Sequence, residues 1–267
     1  MAEVITSGQN PKIKTLMALQ EKSRERRQKG LFVLEGRREL EHALEAGFVL
    51  DTVFVCPEIL SLTNETPLLK AFLKDKPDVI EVSNSVYSKI AYREGTEGII
   101  AEVVTPERTL ASLALPENPL VMVLESVEKP GNLGAVLRSA DAAGADAVII
   151  CDPLTDLFNP NLIRASIGAI FTVPVVTAAS AEAIKYLKDR KIQILTAQLQ
   201  DSSVYYETDM RGGTALVMGT EATGLTPVWR MAADAHIRIP MLGRLDSLNV
   251  SVSAAILLYE AVRQRQK

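Results

Sequence analysis

Three short segments in the second half of the chain carry glycine, hydroxyl, amide and charged residues at the ends of apolar runs. They span Asn132 to Arg138, Gly219 to Leu225, and Ile239 to Ser251. The second and third segments follow predicted strands, and all three lead into predicted helices. Loops at the carboxyl ends of parallel strands are where open α/β sheets bind ligands. The sequence therefore predicts a single binding site, built largely from backbone groups and placed near the C-terminus.

The first segment combines a helix start with an arginine. Asn132 is a residue type that caps helices, and Arg138 follows six residues later. That spacing is about 1.7 helical turns, which separates the two side chains by about 120° around the helix axis, and we expect both to reach a common ligand. An arginine near a helix start is well placed to grip a phosphate. The alternative is a helix cap next to an ordinary surface arginine, and this segment alone does not decide between the two.

The second and third segments differ from the common nucleotide motifs. Gly219–Leu225 lacks the Gly-Lys-Ser/Thr of a P-loop and the Gly-x-Gly-x-x-Gly of a dinucleotide fold, which leaves an ordinary strand-to-helix turn as the alternative. In the third segment, Ser247 or Asn249 can cap the last helix. The stretch from Val250 to Leu258 is small and apolar on nearly all sides, so we expect it to be buried by a partner subunit or by the chain itself.

In this order, the three segments resemble the signature motifs of the SpoU-type (TrmH-like) RNA ribose 2′-O-methyltransferases of the SPOUT superfamily. The resemblance covers residues 119–265. Residues 30–104 resemble, less strictly, the ribosomal-protein-like substrate-binding domain of that family. One position departs from the pattern, because Glu97 precedes Gly98 where many relatives carry Gln. The change either alters which RNA is read or falls in a loop-to-strand junction with no such role.

The resemblance implies a fold, a cofactor and a substrate. The fold is α/β: a parallel sheet with a C-terminal trefoil knot, plus a smaller N-terminal α/β domain. The donor is S-adenosylmethionine (SAM), the acceptor is a ribose 2′-hydroxyl of structured RNA, and the enzyme is a homodimer. The domains implied are a basic helical extension, a substrate-binding domain, a linker and a methyltransferase domain, at residues 1–29, 30–104, 105–118 and 119–267.

The same resemblance assigns two sets of site residues. The expected catalytic set is Asn132, Arg138, Glu221, Ser247 and Asn249. The expected cofactor set is Gly219, Leu225, Ile239, Met241 and Leu248. The family pattern gives Arg138 the role of base, but a guanidinium does not deprotonate in proteins, so a phosphate clamp is the other reading. The subunit that supplies each residue stays open, as does the target nucleotide.

Composition limits the remaining functions. The chain has 267 residues, a net charge of −4, two histidines and two cysteines. With two isolated histidines there is little material for a metal site, and no apolar run is long enough to cross a membrane, so we expect a cytoplasmic protein with buried free thiols. Residues 1–38 hold nine basic and four acidic residues, which indicates a nucleic-acid contact or a solvated helix face.

We favour ribosomal RNA over transfer RNA as the substrate, because simpler relatives that modify transfer RNA often lack the N-terminal domain. Two alternatives have different functions. One is a non-catalytic RNA-binding or ribosome-assembly factor on the same fold. The other is a nucleotide-dependent oxidoreductase, which the missing dinucleotide motif disfavours. The substrate is either naked RNA or a ribosomal particle.

Overall fold

The computed structural model describes residues 4–60, 67, 78–92, 97–220 and 222–266. The chain forms two compact units. The first contains Met1–Pro106 and Leu157–Ile163, and the second contains Glu107–Asp156 and Arg164–Lys267. Among the described residues, no helix has the length and apolar character needed to cross a membrane.

The first unit is a four-stranded sheet with helices. Its elements are α1 (Pro11–Glu21), α2 (Ser23–Lys29), β1 (Leu31–Glu35), α3 (Arg37–Glu45), β2 (Leu50–Val55), β3 (Val79–Glu81), α4 (Asn84–Ile90) and β4 (Ile99–Val104). The strand order is β1-β4-β2-β3, with β4 antiparallel to β1 and β2, and β3 parallel to β2. Apolar side chains of α1 and α4 pack with residues of the sheet to form its core. The sequence also predicts a helix over Pro67–Lys74, which lies outside the described residues apart from Pro67.

The N-terminal helix is divided. The sequence predicts one helix over residues 10–29, with Asn10 as its N-cap and Gly30 at its end. Lys22 adopts an extended conformation between α1 and α2. Arg26 is buried and donates hydrogen bonds to the carbonyls of Leu19 and Gln20, at 2.6 and 3.0 Å. These are carbonyls that the end of α1 leaves without helical partners. The predicted N-cap is confirmed, because the Asn10 side chain accepts from the Lys12 amide.

Two features of the first unit come from residues outside its regular elements. Phe158, from the Leu157–Ile163 segment, stacks on Phe32 with ring centroids 4.2 Å apart. Glu97 accepts a 2.6 Å hydrogen bond from the backbone amide of Arg37, at the start of α3. Glu97 therefore has a structural contact at the junction between loop and strand.

The second unit is built on seven parallel strands. These are β5 (Leu120–Glu125), β6 (Ala147–Cys151), β7 (Val175–Ala178), β8 (Gln193–Ala197), β9 (Ser203–Val204), β10 (Thr214–Met218) and β11 (Ala235–Arg238). Their order is β7-β6-β5-β10-β8-β11-β9, and every neighbouring pair is parallel. Almost all residues of the four strands β5, β6, β8 and β10 are buried, as expected for a sheet covered on both faces. The predicted parallel sheet is confirmed.

The helices of the second unit are α5 (Pro130–Ala142), α6 (Pro160–Ser166, which begins in the Leu157–Ile163 segment), α7 (Ala169–Thr172), α8 (Ser180–Asp189), α9 (Pro227–Ala232) and α10 (Val250–Arg265). The expectation that Asn132 caps α5 is wrong. The helix begins two residues earlier, at Pro130, whose fixed φ suits the first helical position.

The terminal helix α10 is buried along one face only. Val250, Ala254, Leu257, Leu258 and Ala261 are buried. On the other side, Val252 and Tyr259 are 46% and 50% exposed. The chain therefore covers part of this apolar helix by itself, and an apolar strip is left exposed in the single chain.

Candidate functional site

A cleft of about 620 Å³ lies at the carboxyl ends of three neighbouring strands, β8, β10 and β11. In a parallel sheet these ends share one edge, so the loops that follow them face a common space. Residues from the loop after each strand line the cleft, together with Val250, Ser253 and Leu257 of α10. Two of those loops are the second and third sequence segments.

The loop after β10 folds back on itself. The amide of Thr220 donates to the carbonyl of Gly224, and the amide of Gly224 donates to the carbonyl of Thr220, at 3.3 and 3.1 Å. A Cβ at Gly219 would collide with the Gly224 carbonyl, and Gly224 has a φ of +67°. Both glycines are therefore required by this tight turn, which explains the spacing of the segment.

The first and third segments meet through two asparagines. Asn249 caps α10, because its Oδ1 accepts from the Ser251 amide at 3.0 Å. An amide hydrogen can only be donated, so this contact fixes which atom of the Asn249 side chain is oxygen. Its Nδ2 then donates to Oδ1 of Asn132 at 3.1 Å. One residue thus both starts the terminal helix and links it to α5.

The structure brings most of the expected residues together. All five residues expected to bind the cofactor line the cleft: Gly219, Leu225, Ile239, Met241 and Leu248. Of the expected catalytic residues, Ser247 and Asn249 also line it. Asn132 reaches the group through its contact with Asn249.

Of the two remaining expected catalytic residues, the structure describes one. Arg138 is exposed on α5 and is not among the residues that line the cleft. Glu221 lies outside the described residues. Within the described part of the chain, no cluster of three or more His, Cys, Asp or Glu side chains is arranged to hold a metal ion.

Sequence reasoning missed the part of the cleft that follows β8, formed by Gln198, Leu199 and Gln200. The side-chain nitrogen of Gln198 donates to the Gln200 carbonyl at 2.9 Å, which fixes the amide orientation. Its side-chain oxygen is buried and has no hydrogen-bond partner among the described residues. The same rule that found the other loops applies here, because this loop also follows a parallel strand.

Three charged residues of the cleft were also missed: Arg230, Arg238 and Asp246. Arg230 lies on α9, a short helix whose sequence gave no periodic signal, and Arg238 is the last residue of β11. These three side chains add charged groups to a cleft that is otherwise lined by polar and apolar residues.

The two cysteines are buried free thiols, as predicted. Burial, reinforced by the nearby carboxylates of Asp152 and Glu125, raises the pKa of Cys151 to about 12. The thiol is therefore neutral at physiological pH, and a neutral thiol is a poor nucleophile. Cys151 is a core residue of the sheet.

Comparison with known proteins identifies the family. The model of the SpoU rRNA methylase family matches residues 119–259, which include all three segments. The chain belongs to the SpoU rRNA methylase family. A second model, that of the MRM3-like substrate-binding domain, matches residues 10–101. The resemblance seen in the sequence is thereby confirmed for both parts of the chain.

Individual relatives of this SpoU-family chain cover nearly all of its length. The Bacillus subtilis protein named 23S rRNA (guanosine(2553)-2′-O)-methyltransferase is 30% identical over 96% of this chain and 97% of its own. A crystal structure described as an RNA 2′-O ribose methyltransferase has 40% identity and a TM-score of 0.82, covering 99% and 100% of the two chains. An AdoMet-bound rRNA methyltransferase from Sinorhizobium meliloti has 29% identity and a TM-score of 0.87, covering 98% and 97%.

Proposed function

We propose that this chain methylates the 2′-hydroxyl of a ribose in ribosomal RNA, with SAM as the methyl donor. The observation that carries the proposal is the cleft at the ends of β8, β10 and β11. It is lined by every residue that the family resemblance assigns to the cofactor, and it lies next to the Asn132–Asn249 contact. Membership of the SpoU rRNA methylase family supports the same reaction.

The cleft fits SAM in size and chemistry. Its volume of about 620 Å³ is typical of sites for small organic cofactors. Apolar side chains such as Ile239 and Leu248 offer contacts to a flat aromatic base. The side-chain oxygen of Gln198, for which the described residues supply no donor, is an acceptor for an amine or hydroxyl hydrogen. We propose that the loops containing Gly219, Ile239 and Leu248 hold the adenosyl group, largely with backbone atoms.

Bound SAM supplies an electrophilic methyl group on a sulfonium that is already a good leaving group. The protein therefore has mainly to align the ribose hydroxyl and exclude competing geometries, which can be worth about 7–11 kcal/mol of the barrier. We propose that Ser247, Asn249 and Asn132 hydrogen-bond the ribose. Their amide and hydroxyl groups both donate and accept, as a hydroxyl substrate requires.

We propose that Arg138 grips the phosphate next to the target ribose. It is an exposed guanidinium on α5, the helix that also carries Asn132. A permanent positive charge suits a phosphodiester and the developing alkoxide, whereas a base must be able to lose a proton. Replacing Arg138 by Ala should abolish methyl transfer, replacing it by Lys should restore part of the activity, and both variants should bind S-adenosylhomocysteine like the unaltered protein. Undiminished turnover in Arg138→Ala would remove this role.

We propose that the C-terminal segment forms the trefoil knot of the SPOUT fold and that the enzyme is a homodimer. Two observations support these proposals. The segment 239–249 joins β11, on one side of the cleft, to α10, which lines the same cleft. The exposed apolar residues Val252 and Tyr259 on α10 are suited to a partner's surface.

We propose that the substrate is a guanosine in large-subunit ribosomal RNA, modified in the cytoplasm. The Bacillus subtilis relative is named for a guanosine of 23S rRNA, and it matches this chain over both units. The substrate-binding domain over residues 10–101 supports ribosomal rather than transfer RNA, because simpler relatives that modify transfer RNA often lack an N-terminal domain.

Two experiments test the function. Calorimetric titration with S-adenosylhomocysteine and with NAD should show binding of the first only, and the reverse result would favour an oxidoreductase. Mapping of 2′-O-methyl groups in RNA from cells with and without the chain should then reveal one ribosomal ribose that loses its mark. Loss of a mark in transfer RNA would contradict the substrate assignment. A protein that binds RNA but transfers no methyl group to it would point to an assembly factor.

A further inference from the structure

A buried carboxylate lies beneath the loop after β10. Glu125 is the last residue of β5, is only 3% exposed, and belongs to no part of the expected site. Both of its carboxylate oxygens accept hydrogen bonds from one residue, Thr226: the backbone amide at 2.8 Å and the hydroxyl at 2.5 Å. Thr226 directly follows Leu225, which lines the cleft.

A second contact holds α9, the helix that follows Thr226, through Ser180, the first residue of α8. Its hydroxyl accepts from Nε1 of the fully buried Trp229 at 2.9 Å. A serine hydroxyl has a single hydrogen, and the distances of 2.6 Å to Asp152 and 3.5 Å to Glu125 assign that hydrogen to Asp152. Glu125 is therefore left with Thr226 as its main partner, while Trp229 anchors α9 separately.

The loop that binds the cofactor is thus held at its base. Its first residue, Gly219, packs so closely on Gly224 that no side chain fits between them. Its far end is tied to the end of β5 by the two hydrogen bonds from Thr226 to Glu125. A displacement of Thr226 would move Leu225 and Gly224, and through that close contact also Gly219.

We propose that Glu125 is a positioning residue for the cofactor loop, acting through Thr226 to set the shape of the cleft. The inference rests on the proposed function, because it assumes that the cleft binds SAM. Hydrogen bonds to a charged acceptor are stronger than neutral ones, and a buried acceptor has no water to replace a lost partner. The carboxylate therefore holds the loop more firmly than a neutral group can.

The test compares two contacts between a carboxylate and a backbone amide that involve opposite ends of one strand, with Glu125 buried and Asp146 half-buried. Asp146 accepts a 2.7 Å hydrogen bond from the amide of Leu120, the first residue of β5, at the sheet edge away from the cleft. Glu125→Gln and Asp146→Asn each replace a carboxylate by its amide. Thr226→Val removes only the hydroxyl contact, and Thr226→Ser keeps it.

Binding of S-adenosylhomocysteine by calorimetry, KM for SAM, kcat and the urea unfolding midpoint are measured for each full-length variant. We expect Glu125→Gln and Thr226→Val to raise the Kd and the KM about tenfold, the effect of a lost strong hydrogen bond. We expect kcat at saturating SAM to stay within about twofold, since the reacting groups are untouched. Thr226→Ser should bind like the unaltered protein, and Asp146→Asn should lose stability but not affinity.

Two outcomes overturn the inference while leaving the proposed function standing. In one, the Glu125 and Thr226 variants lose stability but bind S-adenosylhomocysteine normally, so the contact is only structural. In the other, Asp146→Asn weakens binding as much as Glu125→Gln does, so the effect is general loosening of the fold. Failure of the unaltered protein to bind S-adenosylhomocysteine would instead overturn the proposed function, and this inference with it.

Discussion

Asn249 shows how one side chain can serve both folding and the site. Its oxygen caps α10 by accepting from the amide of Ser251, and its nitrogen donates to Asn132. Only an amide side chain of this length offers an acceptor and a donor at once. Aspartate would keep the cap and lose the donor.

Replacing Asn249 by Ala should lower both stability and activity. The lost cap should cost about 1 kcal/mol of unfolding free energy. The rate of methyl transfer should fall further than this loss of stability explains, because the contact with Asn132 is lost as well. Asn10 provides a matched control, because it caps α1 by accepting from the Lys12 amide and lies in the other unit. Urea unfolding and methyl-transfer assays on both alanine variants check the prediction, which is wrong if the two lose activity equally.

A buried acid in the first unit should make stability depend on pH. Burial, followed by the nearby Asp51, raises the pKa of Glu102 to about 7, and one of its oxygens has no hydrogen-bond partner among the described residues. Lys29 and Lys12 lower the pKa by smaller amounts.

The raised pKa of Glu102 determines how the stability of the folded state changes with pH. Between about pH 4.5 and pH 7 the folded state holds a proton on Glu102 that the unfolded state has lost, so stability falls as pH rises through this window. Glu102→Gln should therefore be more stable than the unaltered protein at pH 8, by on the order of 1–3 kcal/mol, and should show no such gain at pH 4. Thermal unfolding across this range tests it, and parallel curves for the two proteins would contradict it.

At the scale of elements, side-chain hydrogen bonds hold both ends of α10, Asn249 at its start and Arg265 at its C-terminal end. The Arg265 side chain donates to four backbone carbonyls, those of Asn118, Pro119, Met210 and Gly212, at 2.6–3.1 Å. These carbonyls lie just before β5 and β10. The terminal helix is therefore tied to the starts of two central strands.

Replacing Arg265 by Ala should remove about 2 kcal/mol of unfolding free energy, since a charged donor contributes more than a neutral one even though two of its four contacts, to the carbonyls of Asn118 and Gly212, are exposed. Arg263→Ala is the matched control two residues earlier. It loses an ion pair with Glu260 on a largely exposed side chain, which should cost about 1 kcal/mol or less. Equal losses of stability in the two variants, measured by urea unfolding, would show that the carbonyl contacts do not fasten the helix.

The elements differ in how far the sequence predicts them. Continuous apolar runs such as Leu120–Leu124 and Thr214–Met218 could be interpreted as buried parallel strands, because a strand covered on both faces is apolar on both. The short helix α9 and the two-residue strand β9 have no periodic pattern long enough to detect. The division between α1 and α2 is accompanied by the buried Arg26, whose side chain donates to carbonyls six and seven residues earlier, and apolar periodicity does not reveal such a side-chain contact.

The site was predictable to the extent that local motifs define it. Glycines and caps mark the loops after β10 and before α10, and these were found. The wall formed by Gln198 and the anchor formed by Glu125 arise from neighbouring strands in the sheet. Strand order joins residues 101 positions apart, such as Glu125 and Thr226, and no local spacing encodes that contact.

For the whole molecule, the exposed side of α10 predicts self-association. Val252→Asp places a charge on the strip that we propose a second subunit covers, and burying an unpaired charge is strongly unfavourable. Sedimentation should show a dimer for the unaltered protein and a monomer for this variant. Leu154→Asp is the control, because Leu154 is a 62% exposed apolar residue in the loop that follows β6 and is not part of α10. A dimer that survives Val252→Asp would place the interface elsewhere.

The stacking of Phe158 on Phe32 has a practical consequence for dividing this protein. The continuous part of the first unit ends at Pro106. The Phe158 ring belongs to the segment Leu157–Ile163, about fifty residues further along the chain. A fragment whose translation stops at Pro106 would expose the face of Phe32 to water and should aggregate or melt early. Adding a synthetic peptide spanning residues 157–163, or fusing it by a glycine-rich tether, should restore the missing aromatic partner and raise the melting temperature of the fragment.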